Sequence, residues 1–188
     1  FPEGAFSSNA NYYLGSIAFS KKEYDEALQR FKSVIESGDT KFLEESVART
    51  AEMQYLTQDF PAALESFKRL QIIAENPENK QAARLGIMRC ALQTGQQEEA
   101  QLAANELLKD PKLSPEVEAE ARYIRAKAYI DHKQPAKAVE DLTILSKDTR
   151  TVHGAEAKYL LAQYFYDTND DKNAEKILED FAKNGTPH

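Results

Sequence analysis

The sequence has few of the residues that bind metals, form disulfide frameworks or interrupt helices. Its 188 residues include one cysteine, no tryptophan, 7 glycines and 7 prolines. Because a single thiol builds neither a disulfide framework nor a thiolate zinc site, both are excluded for this chain. The scarcity of helix breakers, together with many Ala, Leu, Glu, Lys and Gln residues, favours helix over sheet. Cys90 lies within an apolar helical pattern, so we expect it to be buried.

Long apolar runs and an excess of basic charge are also absent. No run approaches the roughly 18 apolar residues needed to cross a bilayer. The balance of 24 basic and 31 acidic residues gives a net charge of −7, which argues against a nucleic-acid surface, whose usual footprint is a basic stripe. The first residues, FPEGAFSSNA, lack the basic and apolar regions of a signal peptide. Because no initiator methionine precedes them, we interpret the chain as an excerpt from a longer protein.

Residues suited to catalysis are sparse. The three histidines, His132, His153 and His188, fall near a turn, at a helix start and at the terminus. None stands at metal-ligand spacing or accompanies a nucleophile motif, a glycine-rich phosphate loop or a zinc signature. Acidic pairs such as Glu44-Glu45 show no buried environment that would separate their pKa values. We therefore predict no enzyme activity, no cofactor and no metal site.

One short pattern recurs five times along the chain. It consists of an alanine followed by apolar residues four and seven places later, as in the stretch EYDEALQRFKSVIE from Glu23. The alanines are 36, 37, 38 and 36 residues apart, and we call them the anchor alanines: Ala27, Ala63, Ala100, Ala138 and Ala174. Because spacings of four and seven place residues on one stripe of a helix, each copy predicts a helix with a single buried face.

A matching helical pattern precedes each copy. Examples are NYYLGSIAFS from Asn11, ARYIRAKAYID from Ala121 and AKYLLAQYFYD from Ala157. Short turns rich in polar residues, Gly and Pro separate the two patterns: SKKEY, TQDFP, TGQQE, DHKQP and DTNDD. Because short links force neighbouring helices to run antiparallel, the chain is predicted to be all-α, with about ten antiparallel helices.

This arrangement resembles five tetratricopeptide repeats, over about residues 8 to 184. The family pattern is kept best in the first repeat, at Leu14, Gly15, Ala27 and Phe31. Two departures stand out: Gly38-Asp39 replaces the Pro that ends a repeat, and Arg125 takes a place usually given to Leu. The resemblance implies a right-handed α-solenoid in a single domain over residues 1–188. Its repeats are expected at about 8–40, 41–77, 78–112, 113–150 and 151–186.

The resemblance also implies a concave groove lined by the first helix of each repeat. The partner-binding residues expected there are Tyr12, Phe19, Tyr55, Arg89, Tyr123, Lys127, Tyr159 and Tyr166. Tyrosine combines a large apolar body with a polar tip, which suits a peptide or a partner helix. The alternative for each tyrosine is half-buried packing between adjacent helices. Because Tyr, Ala and Leu replace the lysines with which co-chaperone repeats clamp a C-terminal carboxylate, that clamp is not expected.

The predicted function is a non-catalytic protein-interaction scaffold that binds a peptide or partner helix in the groove. The alternatives are a module that binds glycan or peptidoglycan fragments, and a cytosolic regulatory adaptor. The start FPEG, followed by A-x-Y-x-L-G, is similar to repeat proteins of outer-membrane assembly and of the Tol-Pal system. This similarity implies the bacterial periplasm or outer-membrane periphery, with the cytoplasm as alternative.

The two ends of the chain are expected to be loops between repeats, FPEG at the start and GTPH at the end. The last helix presents Ile177, Leu178 and Phe181, which we interpret as a surface for a missing neighbouring repeat or for dimerisation.

Overall fold

The computed structural model describes residues 3–38 and 40–183, and of residues 3–5 only the backbone. Within these ranges the chain forms ten α-helices, a short 3₁₀ helix and no strand. The α-helices are α1 (Glu3–Ser20), α2 (Tyr24–Glu36), α3 (Leu43–Leu56), α4 (Phe60–Ile73), α5 (Pro77–Gln93), α6 (Gln97–Leu107), α7 (Pro115–Asp131), α8 (Val139–Leu145), α9 (Val152–Asp167) and α10 (Asp171–Lys183). The 3₁₀ helix, Pro135–Ala138, precedes α8. The predicted all-α fold is confirmed.

Two compact parts make up the chain, residues 1–100 and residues 101–188, and the boundary falls within α6. We call them the N-terminal and C-terminal halves. In the N-terminal half, α1 packs on α2, α2 on α3, α3 on α4 and α4 on α5. In the C-terminal half, α7 packs on the 3₁₀ helix and α8, α8 on α9, and α9 on α10. Within each half these helices therefore pack on their neighbours in sequence, as stacked helix pairs require. That the whole chain is one domain stays a prediction.

The anchor alanines lie at the helix contacts. Four of them are 0% exposed and the fifth, Ala174, is 3% exposed. In the first four repeats the residues four and seven places later are buried as well: Phe31, Val34, Phe67, Leu70, Ala104, Leu107, Leu142 and Leu145. The fifth repeat differs, because Leu178 is 46% exposed and Phe181 is half-buried on a helix that packs chiefly on α9. Cys90 is buried as predicted, and burial raises the pKa of its thiol to about 11.

The turn inside each repeat has one conformation throughout the chain. Five residues before each anchor alanine stands a residue with positive φ: Lys22, Gln58, Gly95, Lys133 and Asn169, at 63°, 63°, 75°, 60° and 59°. The amide of the following residue donates to the carbonyl five positions earlier, as from Gln96 to Ala91 over 2.7 Å. This pairing closes a Schellman motif, which satisfies the last carbonyls of the first helix.

Arg125, which stands where the family usually has Leu, forms a buried ion pair. Its Nε and Nη2 donate to the Asp141 carboxylate over 2.6 and 2.7 Å, and Arg122 Nη1 donates to the same group over 2.8 Å. Asp141 is only 1% exposed. Three charge-assisted bonds therefore compensate the burial of one carboxylate between α7 and α8.

The structure corrects the expected loop at the start of the chain. Helix α1 begins at Glu3, so Glu3 and Gly4 of the FPEG segment are helical. The rest of that segment, Phe1 and Pro2, lies outside the described residues, as does the GTPH segment at 185–188.

The left-handed turns predict that introducing a glycine and removing a glycine there change the stability in opposite directions. A side chain with positive φ costs roughly 1–2 kcal/mol, so Gln58→Gly should raise the free energy of unfolding by about 1 kcal/mol. Gly95→Ala should lower it by a similar amount. Urea denaturation followed by circular dichroism measures both. The control is Glu65→Gly, at an exposed position in the middle of α4. It should lower the free energy of unfolding by about 1 kcal/mol. Equal losses for Gln58→Gly and Glu65→Gly would contradict the role of the turn.

The buried ion pair predicts a large effect of Asp141→Asn. Removing this charge takes from Arg125 its carboxylate partner in a partly buried site and leaves Arg122 paired with Glu118 alone, which should cost about 3–5 kcal/mol. The double variant Arg125→Leu/Asp141→Asn should recover part of the loss, because one unpaired cation is gone. Thermal unfolding provides the measurement. Lys183→Gln breaks an exposed pair with Glu179 and should have almost no effect. If Asp141→Asn melts like Lys183→Gln, the pair does not stabilise the fold.

Candidate partner-binding surfaces

A cavity of about 450 Å³ lies between α3 and α5 in the N-terminal half. We call it the α3–α5 cavity. Its volume falls within the range of roughly 300–1,000 Å³ that is typical of ligand sites. The floor is apolar, because Phe67 and Leu70 of α4 reach it from below. The lining residues on either side are Glu45, Ala48, Arg49, Glu52 and Tyr55 of α3 and Glu78, Asn79, Ala82, Leu85, Gly86 and Arg89 of α5, with Asn76 in the preceding loop.

Gly86 allows α5 to sit directly on the aromatic floor. A Cβ atom at this position would lie 2.4 Å from the nearest carbon atoms of the Phe67 ring, which is closer than real Cβ atoms approach. The ring itself is 8% exposed. The absence of a side chain at residue 86 therefore determines how closely α4 and α5 approach beneath the cavity.

Arg49 organises the polar rim on the α3 side. Its Nε donates to Glu45 over 2.9 Å and its Nη1 donates to Glu52 over 3.1 Å. The guanidinium carbon also lies 5.1 Å from the centre of the Phe19 ring, within the distance of a cation–π contact. Two carboxylates thus flank one held cation, so this part of the rim offers acceptors as well as donors to a ligand.

Glu44 does not line the cavity, but it holds residues of the rim on the α5 side in place. Its carboxylate accepts hydrogen bonds from the amides of Glu75 and Asn76, over 3.0 and 3.2 Å, and from Asn79 Nδ2 over 2.8 Å. Partial burial acts to raise the pKa of Glu44, but these hydrogen bonds outweigh it and hold the pKa below its ordinary value. Glu44 therefore orients Asn79, a cavity-lining residue, through a contact between neighbouring repeats.

The predicted groove residues of the N-terminal half have different environments. Tyr55 and Arg89 line the α3–α5 cavity, where the Tyr55 ring meets Phe60 edge-on at 5.6 Å. Phe19 lies beneath Arg49. Tyr12 is half-buried and stacks on Phe42 at 4.1 Å, and burial, followed by the charge of Glu45, raises its pKa. Tyr12 is therefore a half-buried packing residue, which was the alternative to partner binding for these tyrosines.

In the C-terminal half, Tyr123 and Lys127 meet at one carboxylate. The Tyr123 ring stacks on His153 at 4.6 Å. Burial first, and then contact with the Glu156 carboxylate, raises the pKa of Tyr123. Lys127 Nζ lies 3.7 Å from Glu156. Glu156 thus links α7 and α9 on the face predicted to bind.

The two remaining predicted residues are more exposed. Tyr159, 57% exposed, lines a cavity of about 450 Å³ together with Val152 and Phe181. Tyr166 is 67% exposed. That these residues, and the others predicted for the groove, contact a partner stays a prediction.

Several residues that shape these surfaces were not predicted. Arg49 was missed although it stands four residues after Glu45 and three before Glu52, a spacing that predicts ion pairs on one helix face. Asn79 and Glu156 carry no such signal, because their partners lie on other helices.

Comparison with known proteins identifies a family for part of the chain. Residues 123–187 match the family described as tetratricopeptide repeat. This part of the chain is made of tetratricopeptide repeats. Solved structures extend the repeat fold to nearly all of the chain. A search of curated proteins found no match.

Three solved structures show the same fold at low identity. A tetratricopeptide repeat protein from Parabacteroides merdae is 16% identical, with a TM-score of 0.66, and the match covers 94% of this chain and 66% of that one. The MamA protein is 16% identical with a TM-score of 0.66, covering 97% of both chains. MamA from Desulfovibrio magneticus RS-1, residues 41 to the end, is 15% identical with a TM-score of 0.65, covering 94% of both. At this identity the three structures show the fold alone.

Glu44 predicts a loss of stability in acid. Folding lowers the pKa of Glu44, so its carboxylate stabilises the fold at pH values above its ordinary pKa of 4.5. This stabilisation is lost as the pH falls through the lower pKa of the folded state. Glu44→Gln should lower the free energy of unfolding by about 1 kcal/mol at pH 7, since solvent screens a partly exposed carboxylate. The variant and the parent should converge at acidic pH. Urea titrations across this range test it, with the exposed Glu23→Gln as control. A constant difference at all pH values would contradict the assignment.

Proposed function

We propose that the chain is a non-catalytic scaffold that binds a segment of a partner protein in the α3–α5 cavity. The observation that supports this most directly is the combination of a well-packed apolar floor with a polar rim fixed by Glu44 and Arg49. Such a site buries an apolar side chain of the ligand and hydrogen-bonds its backbone, which are the two requirements of peptide recognition.

The chemistry of the rim favours a peptide over a charged small molecule. Asn76 and Asn79 offer amide groups, Glu52 offers a carboxylate and Arg89 a guanidinium. A side-chain amide can donate to a backbone carbonyl and accept from a backbone N–H, because it carries both donors and an acceptor. The apolar floor then selects for a hydrophobic side chain.

Within the described ranges, no group of three or more His, Cys, Asp or Glu residues could hold a metal ion, and no helix is long and apolar enough to cross a membrane. The proposal of a non-catalytic role rests on the repeat fold and on the floor and rim of the cavity. A glycan or peptidoglycan-fragment ligand is the competing possibility for the same cavity, since an aromatic face such as that of Tyr55 can stack on a sugar. Calorimetric titration with a panel of muropeptides separates the two, and heat from the panel would favour the glycan.

We also propose that the protein works in a bacterial envelope. The support is the sequence similarity of its start, A-x-Y-x-L-G, to envelope repeat proteins. Fractionation of cells that express the natural full-length protein tests this proposal. Recovery in the cytoplasm alone would contradict it.

Self-association through α10 is proposed on separate grounds. Leu178 is 46% exposed, and Phe181 lines a cavity with the exposed Tyr159 and Val152. Light scattering should show a concentration-dependent mass that Leu178→Glu reduces to that of a monomer. A monomer at all concentrations would contradict the proposal.

The proposed partner site is tested by filling the cavity. Ala48 lines it and is half-buried, so Ala48→Arg should block the cavity without disturbing the floor. Capture of the natural partner should fall by about ten-fold, which corresponds to 1.4 kcal/mol. The readout is affinity capture from native extract followed by titration of the identified partner.

Ala182→Arg serves as the matched control, because it adds the same side chain at an exposed position of α10. Circular dichroism melts confirm that both variants fold. Equal affinity of folded Ala48→Arg and parent protein would refute binding in the cavity.

A further inference from the structure

A second groove lies on the opposite side of α3 from the α3–α5 cavity. Its walls are α2 and α4, its floor is α3, and its volume is about 450 Å³. We call it the α2–α4 groove. Val47, Thr50 and Gln54 of α3 line it, and none of them lines the cavity. At 100° per residue they occupy the helix face opposite Arg49 and Glu52. The two sites therefore share helices α3 and α4 but no lining residue.

The α2–α4 groove has an apolar strip along its length. Leu28 and Ile35 of α2 are half-buried there, and Val47 on the floor is 1% exposed. Leu28 and Ile35 are seven residues apart, two helical turns, so the strip runs parallel to α2. An apolar strip of this kind between two helices matches the geometry in which an amphipathic helix lies in a groove.

Cations dominate the rim of this groove. The Lys32 side chain is 74% exposed and pairs with the 65% exposed Glu36 over 3.7 Å, so this pair contributes little. Arg69 is exposed and makes no hydrogen bond or ion pair with any residue that the structure describes. Two cations thus face one carboxylate in a chain whose net charge is −7. The rim therefore attracts an acidic ligand.

The floor holds a buried hydroxyl without a partner. Thr50 Oγ1 is inaccessible to solvent and has no hydrogen-bond partner among the described residues. Nearby, Ser66 donates to Gln54 over 2.6 Å. A buried hydroxyl without a partner costs roughly 1–3 kcal/mol. A ligand carboxylate at the rim of the groove can pair with Arg69, without contact to the inaccessible Thr50 hydroxyl.

We propose that the α2–α4 groove binds an acidic amphipathic helix of a partner protein. Leucine- or isoleucine-type side chains of that helix pack on Leu28, Ile35 and Val47, and its carboxylates face Lys32 and Arg69. This site is separate from the α3–α5 cavity, so it does not depend on the function proposed above. The scaffold then holds two partner segments at once, one on each side of α3.

The probe for this proposal is a labelled helical peptide with leucines spaced three and four residues apart and glutamates beside them. A second peptide replaces each glutamate by glutamine. Fluorescence anisotropy should show saturable binding of the acidic peptide, weakened about ten-fold by the glutamine replacement. The double variant Lys32→Glu/Arg69→Glu should weaken binding at least as much, because it reverses both rim charges. Higher salt should weaken binding further.

Matched controls separate this site from general charge effects and from the cavity. Lys21→Glu/Lys183→Glu makes the same change in net charge at exposed positions that do not line the groove and should leave the affinity unchanged. Ala48→Arg should also leave it unchanged, so failure of the cavity proposal does not affect this test. Methyl resonances of Val47 and Thr50 should shift on binding.

Three results would overturn the proposal. The first is no saturation up to about 1 mM peptide. The second is equal affinity of the parent and the Lys32→Glu/Arg69→Glu variant. The third is self-association that the double variant abolishes, because a second copy of the chain would then be the occupant.

Discussion

The close contact of paired helices at a buried alanine is the constraint on which this structure depends. A methyl group is small enough for two helices to cross at short distance, and the apolar residues four and seven places later then fall into the same contact. Five anchor alanines repeat this contact along the chain, each following a left-handed turn by five residues. Because neither helix of a pair can bury its apolar face alone, the pairs within each half pack on one another.

The two candidate binding surfaces follow from this packing rather than from added loops. Stacking places α3 and α5 side by side with α4 beneath them, which leaves a cavity with an apolar floor. The same stacking places α2 and α4 on the other side of α3 and leaves a groove. Polar residues then refine each site: Glu44 orients Asn79 at the cavity, and Arg69 lies unpaired, among the described residues, at the groove.

The sequence predicts the repeats well because their signal is local. Alanine spacing and helical stripes depend on residues within one or two turns, so the helix pairs and the buried positions of the first four repeats follow from them. Contacts between distant residues are not predictable in this way. Arg125 looked like a departure from the family, and only the fold brings it to Asp141, sixteen residues later. Likewise, Tyr12 and Tyr55 have similar patterns, yet Phe42 covers one and a cavity adjoins the other.

Helix α3 has a proposed binding site on each of two opposite faces, and this arrangement has a thermodynamic consequence. A rigid helix of 14 residues moves as one body, so a displacement caused on one face is transmitted to the other. Linkage makes any such effect reciprocal: the free energy by which one ligand helps or hinders the second equals that by which the second acts on the first. A scaffold with this arrangement can make the capture of one protein conditional on another without any change of fold.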